Sequence, residues 1–133
     1  MSNTKGFILI DIMVVLAIIG ILAALIVPSY QRHVLESYRL EASSELLRLS
    51  GLQTNMLAEH GRFSSDFDEL GIAQTDGLTS SGRYKLQVLL TANGYQLMAD
   101  AIGPQQKDLE CRRFTLDHTG VKESSPTQRC WAQ

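Results

Sequence analysis

One acid stands inside an apolar run. The segment Phe7-Ile8-Leu9-Ile10-Asp11 continues to Val27 without another charge. An ionisable group in such a setting needs a partner or a purpose, so the chemistry expected of Asp11 is charge pairing. The remaining reactive side chains do not assemble into a catalytic pattern. No catalytic motif surrounds His33, His60 or His118 in the sequence, and each reads as a surface residue or a cap. No G-x-S-x-G, P-loop or H-E-x-x-H is present. Cys111 and Cys130 are too far apart for a C-x-x-C motif and too few for a metal cage. Asp66, Asp68 and Glu69 could attract calcium, but Ser65 to Gly71 is complete as one capped helical turn, and an EF-hand needs far more ligands in order. The expectation is therefore no catalytic residue, no metal, no cofactor and no enzyme.

The element that carries Asp11 is long. Phe7 to Val27 is 21 residues, which as a helix reaches about 31 Å, the thickness of a bilayer's hydrocarbon core. A secretory signal would be shorter and would end in a small-x-small site; only Val27-Pro28-Ser29 imitates one, and the proline makes it poor. The helical pattern also runs on. From Tyr30, positions Val34, Tyr38, Ala42, Leu46, Leu49, Gln53 and Met56 recur every three or four residues, and all but Gln53 are apolar. The opposite face carries Arg32, Glu36, Arg39, Glu41, Glu45 and Arg48, with Arg32–Glu36 and Glu45–Arg48 at pairing distance. A helix from Phe7 to Glu59 would be about 80 Å long, half of it apolar all round and half with one apolar stripe made to pack on a small domain.

Beyond it, residues 60–82 read as a glycine-punctuated loop. Tyr84 to Leu90 alternates as a strand, Thr91-Ala92-Asn93-Gly94 supplies an Asn-Gly hairpin turn, and Tyr95 to Ala101 returns. Arg112 to Asp117 reads as a third strand, ended by His118-Thr119-Gly120. The fold class is α+β, a long helix crossed by a short antiparallel sheet. With 133 residues and a formal charge of −2, the chain fits one exported domain on an anchor, with no broad basic surface for nucleic acid. Only Lys5 precedes the apolar run among the basic residues. It predicts a cytoplasmic N-terminus, with everything after Pro28 on the far side. In an oxidising compartment the two cysteines are expected as one disulfide, with buried free thiols as the alternative. Trp131 is expected to cover that bond and pin the tail, with a sticky tip aromatic as the alternative.

These residues resemble the type IV pilins and their relatives, the pseudopilins of type II secretion. The match lies in Lys5-Gly6-Phe7, the acid four residues later at Asp11, the run Met13 to Ala24, and then Pro28, Tyr30 and Gln31. It covers about thirty residues closely. The hairpin and the Cys111…Cys130-Trp131 loop follow the pilin layout more loosely. The resemblance implies a type IV pilin fold divided into a leader (1–6), an apolar assembly helix (7–29) and an exported head (30–133). It implies cleavage between Gly6 and Phe7 by a prepilin peptidase, which then methylates Phe7. Loss of Lys5 leaves 11 basic residues against 14 acidic ones. It implies that Asp11 pairs with a neighbour's terminal ammonium inside a helix bundle, and that the helix loosens between Gly20 and Pro28 in the filament. The family usually has glutamate where this chain has Asp11.

The expected partners are other pilin subunits, the peptidase and methyltransferase, an inner-membrane assembly platform and the membrane; direct nucleic-acid binding is not expected. The Cys-Trp ending and small head resemble minor type IVa pilins of the PilE-like kind, serving adhesion, twitching motility or DNA uptake. A pseudopilin is the alternative within the same machinery. An uncleaved membrane-anchored binding module is the alternative of another class.

Overall fold

A computed structural model describes residues 4–73 and 76–131, with side chains from residue 8 onward. Helix α1 runs unbroken from Thr4 to His60, with Pro28 inside it. The chain divides into two compact units, residues 1–34 and 35–133.

In the first unit every described side chain from Ile8 to His33 is exposed. From Ile8 to Val27 this part of α1 is apolar all round but for Asp11. It is long and apolar enough to cross a membrane.

In the second unit the apolar stripe of α1 is the core face. Ala42, Leu46, Leu49 and Met56 are buried, as is the one polar member of the stripe, Gln53. Four strands complete the unit: β1 (Tyr84–Thr91), β2 (Gly94–Ala101), β3 (Cys111–Asp117) and β4 (Lys122–Pro126). They form one antiparallel sheet in the order β1-β2-β3-β4. Alternation sends Tyr84 and Leu86, then Tyr95, Leu97 and Ala99, then Phe114 and Leu116 into the core shared with α1. Each fully buried leucine contributes about 1.5–3 kcal/mol. The helix stops at Gly61, whose φ of 71° is the left-handed cap conformation and whose N–H donates to Leu57 O.

The α+β class, the first three strands and the long helix agree with the sequence reading. Three local features differ. The hairpin loop is Ala92-Asn93, because Thr91 pairs with Gly94; Gly94 already belongs to β2. What requires glycine there is packing: a Cβ would overlap the His118 ring. The turn at Phe67–Gly71 is capped by Asp66, not Ser65: Asp66 Oδ1 accepts from Asp68 N, and Ser64 Oγ accepts from Asp66 N just before the turn. Finally, β4 has no counterpart in the reading above. Its Lys-Glu-Ser-Ser-Pro sequence has no apolar alternation, and only Ser124 is buried. Backbone pairing with β3 and the adjacent disulfide hold it.

Candidate assembly site

Asp11 lies on the first unit's helix beside Ile8, Ile12, Val15 and Leu16, which line a shallow open groove with it. The spacing i−3, i+1, i+4 and i+5 puts the carboxylate at the edge of an apolar seam. Among the described residues Asp11 has no hydrogen-bonding or ionic partner. A carboxylate placed this way is costly in lipid or in a helix bundle unless a cation meets it. Gly6 and Phe7 are helical in backbone, and their side chains lie outside the described residues. Gly20 has open space where a Cβ would stand, so no contact within the chain demands glycine. Its effect is on the helix itself, where glycine weakens stability by about 1 kcal/mol against alanine. Pro28 removes one backbone donor, yet the helix passes through both positions without a break.

The second unit is held by polar contacts that tie α1 to distant parts of the chain. Arg39 reaches Asp108 with two parallel hydrogen bonds, Nε to Oδ2 at 2.6 Å and Nη2 to Oδ1 at 2.7 Å. The Asp108 side chain is 1% exposed and that of Arg39 19%. Asp108 Oδ1 also accepts from Cys111 N at 3.3 Å, so the same carboxylate anchors the start of β3. The bond from Asp108 keeps the Arg39 guanidinium above its ordinary pKa. Sequence reading put Arg39 on the solvent face. Its partner is 69 residues away, and no local pattern signals a pair at that distance.

Three more side chains on α1 hold other parts of the head, two of them loops and one strand β2. Gln53 bonds both backbone groups of Ser64: its Nε2 donates to the carbonyl and its Oε1 accepts from the N–H. This explains a glutamine in an apolar stripe, since it satisfies a buried turn that leucine could not. Glu41 accepts from Ser81 N and Oγ. Ser50 Oγ and Tyr95 Oη lie 2.8 Å apart. Beside Asp108, the buried Gln105 donates to Leu35 O and Tyr84 Oη. Burial of the Tyr84 phenol pushes its pKa up to about 12.

Cys111 and Cys130 form the disulfide, with Cα atoms 5.7 Å apart. Trp131 pins the tail as expected, through Nε1 donating to Glu123 O at 2.6 Å. Its ring stands edge-on to Phe114, with centroids 5.6 Å apart, so it closes the end of the core. The Arg112-Arg113 pair falls at a bulge in β3; Arg113 bonds Asp100 across the strands, and Arg112 reaches Gln106 O. Glu45–Arg48 forms as the helix spacing predicts. His60 ends α1, and His118 sits in the β3–β4 turn. Among the described residues no three metal-ligating side chains cluster.

Residues 28–115 match the family model described as "Type IV minor pilin ComP, DNA uptake sequence receptor". The chain is 38% identical over 90 residues to the fimbrial protein EcpC of Eikenella corrodens, a match spanning 68% of this chain and 56% of that protein. It thus spans about half the length of that relative. Against a fimbrial protein of Pseudomonas aeruginosa it is 30% identical over 109 residues, covering 77% of this chain and 71% of the other. The major pilin PilE of Neisseria gonorrhoeae is 34% identical over 115 residues, covering 84% and 65%. Among solved structures, a type IV pilin from Shewanella oneidensis superposes with a TM-score of 0.54 at 22% identity, covering 74% of this chain and 99% of that one, which supports the fold. Sequence match, long helix and disulfide-closed sheet agree: the chain belongs to the type IV pilin family, whose members are structural proteins and not enzymes.

Proposed function

We propose that this chain is a minor-pilin subunit of a type IV pilus. In this reading a prepilin peptidase cuts between Gly6 and Phe7 and the new terminus is methylated. The apolar helix holds the chain in the inner membrane with the head in the periplasm. An assembly platform there passes it to other pilin subunits, and the assembled filament is extracellular. The observation that carries the reading is Asp11, an acid that has no partner among the described residues and stands on an exposed apolar helix. A neighbour's Phe7 ammonium is the cation that would offset its burial. The shorter acid loses about 1.3 Å of reach against glutamate but keeps the charge. Gly20 and Pro28 give the helix a weak stretch that can loosen when the bundle packs.

The test is recovery of variants in sheared filaments. Asp11→Ala should still be cleaved but should be lost from filaments; Asp11→Glu should assemble at least as well as the parent. Recovery of the alanine variant at the parent level would refute the pairing.

A second reading, a DNA receptor on the pilus, draws on the matched family's description and one feature of the head. Arg112 and Arg129, exposed neighbours of the bonded cysteines, and Lys122 over the Trp131 ring at 5.5 Å bring cations and an aromatic face to one place. The sequence reading expects no nucleic-acid contact, because the whole chain is slightly acidic. If the second reading holds, duplex DNA binds the full-length protein with a steep salt dependence that flattens in an Arg112→Ala/Arg129→Ala variant. Salt-insensitive or undetectable binding would dismiss it.

A further inference from the structure

The second unit receives α1 at Leu35, and one end of the head gathers there. Gln105 donates to Leu35 O. The Arg83 guanidinium lies 4.2 Å from the centre of the Tyr38 ring, and Arg39 holds Asp108. These contacts place the β2–β3 connection, residues 102–110, at the entry end of the head. The tail comes to the same place: Thr127 N donates to Glu110 O, and Cys130 is bonded to Cys111.

The tip of that connection is an exposed leucine among cations. Leu109 is 65% exposed. Lys107 stands two residues before it. Arg112 follows three residues after, donating to Gln106 O, and Arg129 adjoins the disulfide; all three are exposed. The acids of the connection are engaged: Asp108 is buried against Arg39, and Glu110 lies 3.5 Å from the same guanidinium. Helix α1 adds Glu36 and Glu41, the second bonded to Ser81. Exposed leucines at the other end differ, since no charged residue flanks Leu89 and Leu90 between Lys85 and Asp100. An apolar side chain ringed by cations suits a lipid surface, where the cations meet anionic headgroups and the leucine enters between them.

Chain length supplies the occupant. The apolar run ends at Val27, eight residues before Leu35, a path of at most about 29 Å however it runs. A membrane that holds the apolar helix therefore stays near the entry end, at the high effective concentration that a short tether gives. We propose that this end of the head, through Lys107, Leu109, Arg112 and Arg129, rests on anionic phospholipid headgroups of that membrane. The contact rests on the membrane anchoring proposed above and adds a second, reversible hold, released when the chain leaves the bilayer. Duplex DNA offers the same phosphate charge, but an unbent duplex gives Leu109 no apolar layer to enter, so lipid is favoured.

The test uses the full-length protein in nanodiscs of phosphatidylcholine alone or of an equimolar mixture with phosphatidylglycerol, read by NMR. A nitroxide on the lipid headgroup should erase the amide signals of Lys107, Leu109 and Arg112 in the mixed discs and spare them in phosphatidylcholine. Asn93 and Gly94 should stay visible in both, and high salt should restore the lost signals. Leu109→Ser and the double variant Lys107→Glu/Arg129→Glu should each keep the parent's melting temperature and restore them too; should the double variant unfold, Leu109→Ser alone decides. A nitroxide on the acyl chain reports anchoring separately, by erasing the Ile12 to Ile19 signals in every sample. If those survive, the anchoring reading fails and the contact with it. If they vanish while Lys107 to Arg112 stay visible in mixed discs, the contact alone is overturned. Equal erasure in phosphatidylcholine, or in Leu109→Ser, overturns it as well. Duplex DNA that shifts the Leu109 and Arg112 signals where lipid does not assigns the tip to nucleic acid and overturns it too.

Discussion

At the residue scale, single polar side chains do more for this head than its composition implies. Asp108 is a buried anion whose cost is offset by Arg39 and by Cys111 N–H. Arg39→Ala would leave that anion uncompensated and should cost about 3–5 kcal/mol, read as a fall in the urea midpoint at unchanged slope. A loss below about 1 kcal/mol would mean that the carboxylate is hydrated rather than paired. Glu69 tests pH dependence. Hydrogen bonds from Arg62, then from Ser64, lower its pKa to about 2. A carboxylate depressed in the folded state stabilises above its unfolded value and loses that contribution as pH falls through the folded one. The loop at 62–70 should therefore exchange its amides progressively faster between about pH 4.5 and pH 2, and Glu69→Gln should abolish that trend. An unchanged pH profile in the glutamine variant would exclude Glu69 as its source.

At the element scale, the legibility of the chain tracks periodicity. The stripe Ala42, Leu46, Leu49, Gln53, Met56 could be read because helix spacing is local. β1 and β2 could be read because each alternates. β4 could not, since a polar edge strand is defined by its partner's backbone and not by its own side chains. Gly94 misled for a related reason: its dipeptide fits a turn, but its cause is the His118 ring, which arrives from a turn more than twenty residues on. The Arg39–Asp108 pair was illegible because its members share no pattern, only a place in the fold. The disulfide is the element that fastens β4 and the tail to β3. Cys130→Ser should cost about 3 kcal/mol, the chain-entropy value for a loop of this length. Full-chain thermal melts with and without reductant measure it, and a melting temperature unaffected by both changes would deny the bond a structural role.

At the scale of the whole molecule, the chain joins an exposed apolar helix to a head with its own core. Among the described residues from Ile8 to His33 every side chain is exposed, so whatever this half does is done with lipid or with other helices. The type IV pilin family supplies a use for that arrangement, and the proposed processing supplies the cation that Asp11 lacks. The family's N-terminal signature was legible in about thirty residues; the contacts that Asp11 makes in an assembly involve other chains and are not encoded in one. The most direct measurement is the intact mass of the protein purified from pilus-bearing cells. The account predicts a chain that begins at Phe7 and carries one added methyl group. A chain that retains Met1, or one that begins near Tyr30, would contradict it.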